Sequence, residues 1–399
     1  MRSIVDLKQK KVMDIMRNIQ IHKPIAKPDI AKRSNISTVT AHTIMTELEH
    51  AGLVTPTGES KSTGGRKAVL YEPNPKFGYI IGMYHGRKKL TTSIYDFSLK
   101  IVYTNVVSSD ISNSGSAIDN IKEEINNAIN SSGIPNEKIL GVGITLPGQI
   151  NHSEGVVISL LNISDWSNMP LKNIIEKITG LPTCVYNDNR ANIISCKWLD
   201  KVSESAIAAY VNISDGVGVG VMIKGEVFSG SHSFAGELGH LDTRSKTICQ
   251  CGNKGCVESL VCNTNVITQV RKKYGLNSSP EESSRACIEE IIQLAKDGNN
   301  GVYQIIKEAT ENIGFVLDSV LKAYDPDKII LYNPWLMHFG ELYDEVIDDV
   351  YYRCKWLIRG TLDIELDTDN VIDNYGPVSI VMENLFNFDS KNKIMLRLE

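Results

Sequence analysis

Two neighbouring stretches, Gly236-Glu-Leu-Gly-His-Leu and Cys249-Gln-Cys-Gly-Asn-Lys-Gly-Cys-Val-Glu-Ser, carry the pattern that decides the fold. His240, Cys249, Cys251 and Cys256 offer four ligands of the softness and number that a tetrahedral zinc site requires. Two glycines between Cys251 and Cys256 allow the backbone to turn tightly around an ion. We therefore expect a structural Zn²⁺, because four protein ligands leave no position for a catalytic water. Three buried thiols are the alternative.

The rest of the composition is typical of a cytoplasmic protein with a basic N-terminal part. Five of the eight cysteines are scattered, as buried small residues are in a reducing compartment. The chain lacks a long apolar run and an N-terminal secretory pattern, so we expect a cytoplasmic location and no membrane insertion. Residues 1–71 carry twelve Lys or Arg and six Asp or Glu, although the whole chain has a net charge of −5. This asymmetry favours a polyanionic partner, with a solvated basic face as the alternative.

Three helical patterns occupy the first fifty-odd residues. Apolar spacing predicts a first helix over 6–19, and a second, short helix begins near Pro28 or Asp29. Ser37 is the expected N-cap of a third helix that ends before Gly52. In this third helix we expect a core-facing stripe of Val39, Ile44 and Leu48, with His42 beside it.

This arrangement is typical of a winged helix-turn-helix over residues 1–73, with a plain three-helix bundle as the alternative. The first residues of the second helix of such a motif contact base edges in the major groove. The candidates here are Ser37, Thr38, Thr40, Ala41 and Thr43. Apolar strands at 53–56 and 68–73 flank a glycine-rich basic hairpin that is typical of a DNA-binding wing. Its expected DNA contacts are Gly64, Gly65, Arg66 and Lys67.

The remainder of the chain, 74–399, has the pattern of an α/β body. After Pro73 and Pro75, apolar strands alternate with helical stretches. The order of events in the first half repeats in the second, with strands at 207–211, 217–223 and 328–332. We expect two related α/β lobes and, between them, a cleft of the kind that binds small ligands.

The motif Glu-x-Gly-His followed by Cys-x-Cys-Gly-x-x-Gly-Cys-x-Glu, at Glu237–His240 and Cys249–Glu258, resembles that of the ROK family. This family groups sugar-responsive bacterial repressors with sugar kinases. The Gly-Gly-Arg wing is similar to that of the repressor branch, although Lys67 stands where the family often has Pro. The resemblance covers nearly the whole chain. It implies a winged helix-turn-helix followed by a two-lobed, actin-like and ribonuclease-H-like ROK sugar-kinase fold.

The resemblance also implies a function. It indicates a transcriptional repressor of carbohydrate-utilisation genes whose affinity for double-stranded operator DNA changes when a sugar binds. A homodimer or a dimer of dimers would suit a palindromic operator. The implied sugar ligands are Asn162, Asn187, Asp188, Glu237, His240 and Glu258, with Asp188 in the place of the catalytic base of the kinases. Each lone Asn or Asp has the alternative of a turn residue or a helix cap.

Three stretches that the kinases of the family use for ATP are altered. Tyr84, Arg87 and Lys88 stand where the kinases have the acid, the second glycine and the threonine of Asp-x-Gly-Gly-Thr-Lys. A second glycine-rich loop begins with Ser214-Asp instead of Gly-Thr, and the late strand ends at Asn333-Pro instead of Gly-Gly. We therefore expect a regulator without enzyme activity. The alternatives are an ATP-dependent sugar kinase with an accessory DNA-binding head and a regulator titrated by a protein partner.

Overall fold

The structure, a computed structural model, describes residues 4–60, 67–203, 206–279, 284–357, 362–368 and 375–386. Within those ranges no helix has the length and apolar character needed to cross a membrane. The helices are α1 (Ile4–His22), α2 (Lys27–Arg33), α3 (Thr38–His50), α4 (Ser114–Ser132), α5 (Leu171–Thr179), α6 (Asp188–Trp198), α7 (Glu258–Val261), α8 (Asn263–Tyr274), α9 (Ser284–Lys296), α10 (Asn300–Thr310), α11 (Ile313–Tyr324), α12 (Gly340–Cys354) and α13 (Gly376–Phe386). The strands are β1 (Ile25–Ala26), β2 (Val54–Glu59), β3 (Val69–Pro73), β4 (Tyr79–His85), β5 (Lys89–Asp96), β6 (Ile101–Ser108), β7 (Ile139–Leu146), β8 (Gln149–Asn151), β9 (Val156–Ser159), β10 (Thr183–Asn187), β11 (Ile207–Ile213), β12 (Val217–Ile223), β13 (Glu226–Val227), β14 (Lys328–Tyr332) and β15 (Ile364–Leu366).

The chain forms two compact units that share one sheet topology. The described residues of Met1–Ile158, Asp165–Lys201 and Asp373–Glu399 make the first unit, and those of Ser159–Ser164 and Val202–Ile372 make the second. Strand order is β6-β5-β4-β7-β10 in the first unit and β13-β12-β11-β14-β15 in the second. In each sheet, taken in this order, the first three strands pair antiparallel with one another. The third and fourth strands, and the fourth and fifth, pair in parallel. The predicted mixed α/β body with a repeated half is confirmed.

The N-terminal segment combines three helices with a small antiparallel sheet in the order β1-β3-β2. The Ser37 hydroxyl accepts a hydrogen bond from the Thr40 amide at 3.1 Å, so Ser37 is the N-cap of α3 as predicted. Strand β1 pairs with Leu70 and Tyr71 of β3 and was not predicted, because its two residues are too few to show a period.

Helix α3 turns a different face to the core from the one predicted. Its buried residues are Ala41, Ile44, Met45 and Leu48, whereas Val39 is 74% exposed and His42 is also exposed. Residues two apart on a helix differ by about 200° around its axis, so Val39 and Ala41 lie on nearly opposite faces. The predictions that Val39 and His42 face the core, and that the Ala41 side chain contacts DNA, are therefore wrong.

Helix α13 is the buried centre of the first unit. It packs on α6, β4, β7 and β10, and nearly all of its residues are buried. Glu383 on α13 accepts from Lys197 Nζ at 2.6 Å and from Trp198 Nε1 at 3.1 Å, which fixes the last turn of α6. Gly143 of β7 permits close packing, because a Cβ atom there would overlap the Pro377 carbonyl oxygen.

Helix α1 is docked on this same unit. It contacts α6 and α13. Gln20 Nε2 and Lys23 Nζ both donate to the Ser98 carbonyl oxygen, at 2.7 and 2.6 Å, in the turn between β5 and β6. His22 Nε2 lies 4.0 Å from the Asp200 carboxylate, just beyond the end of α6. The described residues of the three N-terminal helices therefore belong to the first compact unit.

The close approach of α13 to β7 generates a stability prediction. Gly143→Ala should lower the free energy of unfolding by about 1–3 kcal/mol, because the added methyl group forces backbone movement in a packed core. The matched control is Gly340→Ala, where a Cβ atom meets nothing within 4 Å. Thermal unfolding followed by circular dichroism measures both variants. Equal melting temperatures for the two variants would contradict the described packing of α13.

Candidate functional site

The second unit brings four metal-ligating side chains together. His240 ends the short turn Leu238–His240, and the three cysteines lie on the loop that leads to α7. The ligand atoms of His240, Cys249, Cys251 and Cys256 all lie within 4.8 Å of one another. Cys249 Sγ is 3.9 Å from His240 Nδ1, and Cys251 Sγ is 3.6 Å from Cys256 Sγ. Sulfur ligands of a tetrahedral zinc ion are about 3.8 Å apart, so the arrangement fits such an ion.

The loop has the backbone that this convergence requires. Gly252 and Gly255 have φ values of +89° and +87°, a region that side chains with a Cβ atom rarely adopt. At Gly255 a Cβ atom would also overlap the Asp242 carboxylate. The Cys249 amide donates to the Asn253 carbonyl oxygen at 2.8 Å, which closes the tight turn. Both glycines therefore permit the tight turn between Cys251 and Cys256.

Glu258 connects this cluster to the hairpin of β11 and β12. Its Oε2 accepts from the Val217 amide at 3.0 Å, and its Oε1 lies 3.5 Å from Cys249 Sγ. Desolvation raises the pKa of the Cys249 thiol, and the negative charge of Glu258 adds to this increase. A bound cation acts in the opposite direction, because the metal ligand is the thiolate.

Two other predicted sugar ligands lie around the same loop. Asn162 is exposed, has a φ of +61°, and donates from Nδ2 to the carbonyl oxygen of Gln250, between the first two cysteines. Glu237 is exposed and immediately precedes the turn that carries His240. The structure thus places Asn162, Glu237, His240 and Glu258 within one part of the second unit.

Asn187 and Asp188 lie in the first unit, where β10 passes into α6. The Asn187 side chain accepts from the Arg190 amide at 3.2 Å and donates to the Gly148 carbonyl oxygen at 3.0 Å. It is therefore a helix cap, which was its alternative interpretation. Asp188 is buried, and its Oδ1 accepts from the Asn189 amide at 2.8 Å. Both side chains are held firmly at the carboxyl end of a parallel strand pair.

The stretch that corresponds to the first ATP loop of the kinases is a tight hairpin. The Gly86 amide donates to the Lys89 carbonyl oxygen at 2.9 Å and closes a turn whose tip is Arg87 and Lys88, both exposed. Lys89 Nζ lies 5.6 Å from the centre of the Tyr84 ring. Long side chains therefore occupy a turn in which a phosphate-binding loop needs glycine backbone.

The other two altered stretches are filled by hydrogen-bonded side chains. Asp215, in the turn between β11 and β12, accepts from Asn263 Nδ2 at 3.3 Å and from Ser284 Oγ at 2.9 Å. Asn333, after β14, is fully buried; it donates to the Ile213 carbonyl oxygen at 3.0 Å and accepts from the Trp335 amide at 3.1 Å. A fixed carboxylate and a buried amide thus stand where the kinases have Gly-Thr and Gly-Gly.

The predicted DNA contacts fall into three groups. Ser37, Thr38 and Thr43 are exposed, Thr40 is half-buried and Ala41 is fully buried. Lys67 is exposed, and its Nζ lies 3.8 Å from the Glu59 carboxylate. Gly64, Gly65 and Arg66 lie outside the described residues. Sequence reasoning missed that Val39, His42 and Thr46 share the exposed face of α3; starting the helical period at Ala41 finds them.

The described residues thus form a repeated mixed α/β body whose second unit carries a loop with three cysteines and a histidine. The family model described as "ROK family" matches residues 80–356. The chain belongs to the ROK family.

Similar proteins include both regulators and kinases. A xylose repressor of Caldicellulosiruptor bescii is 26% identical over 96% of this chain and 98% of its own length. The crystal structure of a ROK family transcriptional regulator, a homologue of the E. coli MLC protein, is 23% identical with a TM-score of 0.73, covering 95% of this chain and 97% of that one. A ROK family glucokinase from Streptomyces griseus, solved with glucose and AMPPNP, is 22% identical with a TM-score of 0.63. It covers 77% of this chain and 100% of its own.

The ligand geometry of the four-residue cluster can be tested directly. We expect the purified protein to carry one metal ion per chain by elemental analysis. Cys256→Ser should lose the ion and lower the melting temperature by roughly 5–10 °C, because metal binding stabilises only the folded loop. Cys262→Ser is the matched control: Cys262 is also buried, but it contacts Thr264 and lies outside the cluster. Equal metal content in the two variants would refute the site.

Proposed function

We propose that the protein is a sugar-responsive DNA-binding transcriptional regulator that represses carbohydrate-utilisation genes in the cytoplasm. One observation carries this proposal. The chain has a ROK body and, before it, a segment of helices and antiparallel strands, and the alignment with a xylose repressor covers both parts. The xylose repressor matches 96% of the chain, whereas the glucokinase, covered over its whole length, accounts for 77%. The glucokinase leaves part of this chain unmatched, and a DNA-binding segment is the part that a regulator needs and a kinase does not.

We propose that residues 1–73 form a winged helix-turn-helix and residues 74–399 the sugar-binding and oligomerisation domain. Support for the helix-turn-helix comes from the short connection between α2 and α3, in which Asn35 has a φ of +49° and Ser37 caps α3. The antiparallel pair of β2 and β3 that follows has the position of a wing. Small exposed residues at the start of α3 leave room for close approach to bases.

We propose that the four-residue cluster binds Zn²⁺ as a structural ion. Thiolate and imidazole ligands at tetrahedral spacing favour zinc over harder cations. The ion would fix the loop from Cys249 to Cys256, and with it the Gln250 carbonyl oxygen that holds Asn162.

Sugar hydroxyl groups are proposed to bind Asn162, Glu237, His240 and Glu258 in the second unit, and Asn187 and Asp188 in the first. Amide and carboxylate groups suit hydroxyls, which both donate and accept hydrogen bonds. Because His240 Nδ1 is the ring atom near Cys249 Sγ, a metal bound there leaves Nε2 for a sugar hydroxyl. Such a histidine would couple the metal site to the sugar.

The proposed mechanism is a shift in population. Sugar binding favours one conformation of the body, and in a homodimer or a dimer of dimers this alters the separation of the two α3 helices. Operator affinity then falls by the ratio of the sugar affinities of the two conformations. Of the two possible signs, we propose the one that resemblance to the repressor branch favours, in which sugar releases the protein from its operator.

Catalysis is not part of the proposed function. The Asp215 carboxylate, fixed by Asn263 and Ser284, would repel a phosphate at that turn. The Arg87-Lys88 hairpin offers no carboxylate to support a magnesium ion. An ATP-dependent sugar kinase with a DNA-binding head is the second candidate, favoured by the fold likeness to the glucokinase.

A thermal-shift screen tests the sugar and the kinase candidates together. The full chain is screened against pentoses, hexoses, amino sugars and their phosphates, with and without ATP and magnesium. We expect one sugar to raise the melting temperature without ATP and without phosphate transfer. Transfer of phosphate to the sugar would instead establish the kinase.

The assignment of Glu237 can be tested with the stabilising sugar. Glu237→Gln should weaken sugar binding by about 10- to 100-fold, because a neutral amide oxygen replaces the charged acceptor and one acceptor oxygen becomes a donor NH₂. Glu311→Gln is the control, as an exposed acid of the same unit outside the proposed site. Isothermal titration measures sugar binding, and both variants should bind operator DNA normally without sugar. Unchanged sugar affinity in Glu237→Gln would remove this residue from the site.

A further inference from the structure

The outer face of α3 presents one highly exposed apolar side chain beside exposed threonines. Val39 is 74% exposed, and no other described Val, Ile, Leu or aromatic side chain has a higher exposed fraction. It lies one turn before Thr43, which is exposed as well. Residues four apart lie on the same face of a helix, so the side chains of Val39 and Thr43 are neighbours on the exposed face.

The hydroxyl groups on this face donate within the helix. Thr43 Oγ1 donates to the Val39 carbonyl oxygen at 3.1 Å, and Thr46 Oγ1 donates to the His42 carbonyl oxygen at 2.8 Å. At the helix start, Ser37 Oγ and Thr40 Oγ1 bond to each other at 2.8 Å. Thr43 and Thr46 therefore have acceptor lone pairs, and not a free hydroxyl proton, to offer an incoming partner.

The helix also lacks the side chains that make bidentate hydrogen bonds to purines. No Arg, Lys, Asn or Gln occurs between Ser37 and Ala51. Bidentate contacts to guanine come from Arg or Lys, and those to adenine come from Asn or Gln. The feature of the major groove that an apolar surface can distinguish is the C5-methyl group of thymine.

We propose, on the basis of the proposed DNA-binding function, that Val39 is a specificity-determining residue that contacts a thymine methyl group in each operator half-site. Thr43 completes the apolar contact with its own methyl group. Specificity of α3 then comes from packing of methyl groups and not from hydrogen bonds to purine edges. The operator half-site must present at least one thymine whose methyl group α3 recognises.

The experiment pairs deletion of a methyl group on the DNA with deletion of methyl groups on the protein. The probe is a duplex selected from a randomised library with the full chain, in which each thymine is replaced in turn by deoxyuridine. Val39→Ala is tested on every duplex, and Val106→Ala is the control, because Val106 is 59% exposed on β6, far in sequence from α3. Since Val39 is exposed, the variant should keep the melting temperature of the parent protein.

Val39→Ala should weaken binding to the selected duplex about three- to tenfold, and deoxyuridine at one position of each half-site should weaken binding of the parent protein about fourfold per methyl group. In Val39→Ala that same deoxyuridine should cause no further loss, whereas deoxyuridine elsewhere should act equally on both proteins. Val106→Ala should behave as the parent protein does.

Failure of this inference is distinguishable from failure of the proposed function. If a duplex is selected but Val39→Ala has no effect, or if its effect and every deoxyuridine effect simply add, Val39 does not read a thymine and only this inference is overturned. If no duplex is selected, the DNA-binding function is overturned, and this inference with it.

Discussion

The local constraint on which the second unit depends is the convergence of one imidazole and three thiols at the end of a glycine-containing loop. Three sulfur atoms and a ring nitrogen within 4.8 Å of one another gain little from mutual hydrogen bonding, because thiols are weak donors and acceptors. A cation satisfies all four at once. Around this point the structure places the Glu258 carboxylate against the β11–β12 hairpin and ties Asn162 to Gln250. Two of the candidate sugar ligands, Glu258 and Asn162, are thus in direct contact with the loop that carries the cysteines.

Much of this arrangement could be predicted because its causes are local in sequence. The spacing of His240 and the three cysteines, the intervening glycines and the alternation of strands and helices are all readable from neighbouring residues. Ser37 as the cap of α3 is equally local, since a hydroxyl bonds an amide three residues on. The exposed face of α3 was assigned wrongly, because Val39 and Ala41 are both apolar and the helical period can be started at either; the period that starts at Ala41 gives the buried stripe that the structure has. Boundaries of the short strands β1 and β15 depend on their partners in the same way.

Two of the stretches that differ from the kinase pattern are held in place by side-chain hydrogen bonds. A phosphate-binding loop needs backbone amides that are accessible to the ligand. In this chain the corresponding stretches carry side chains that form hydrogen bonds with neighbouring residues. Asp215 is held by Asn263 and Ser284, and Asn333 bonds both Ile213 and the turn that begins at Trp335. Sequence comparison indicated that the residues differ, but only the structure identifies the partners that stabilise the replacements. Asp215 and Asn333 are each held by hydrogen bonds of their own and therefore have a structural role.

The packing of α1 within the first unit has a consequence for the entropy of DNA recognition. Gln20 and Lys23 converge on the Ser98 carbonyl oxygen, and α1 packs on α6 and α13, so α3, the proposed DNA-reading helix, belongs to a segment that is packed against the rest of the first unit. A rigid mount loses little rotational freedom when it binds, whereas a tethered head would lose much of it. The same rigidity limits how far two paired chains could adjust the distance between their DNA-binding segments. A dimer of such chains would therefore bind poorly to an operator in which base pairs are inserted or removed between the half-sites.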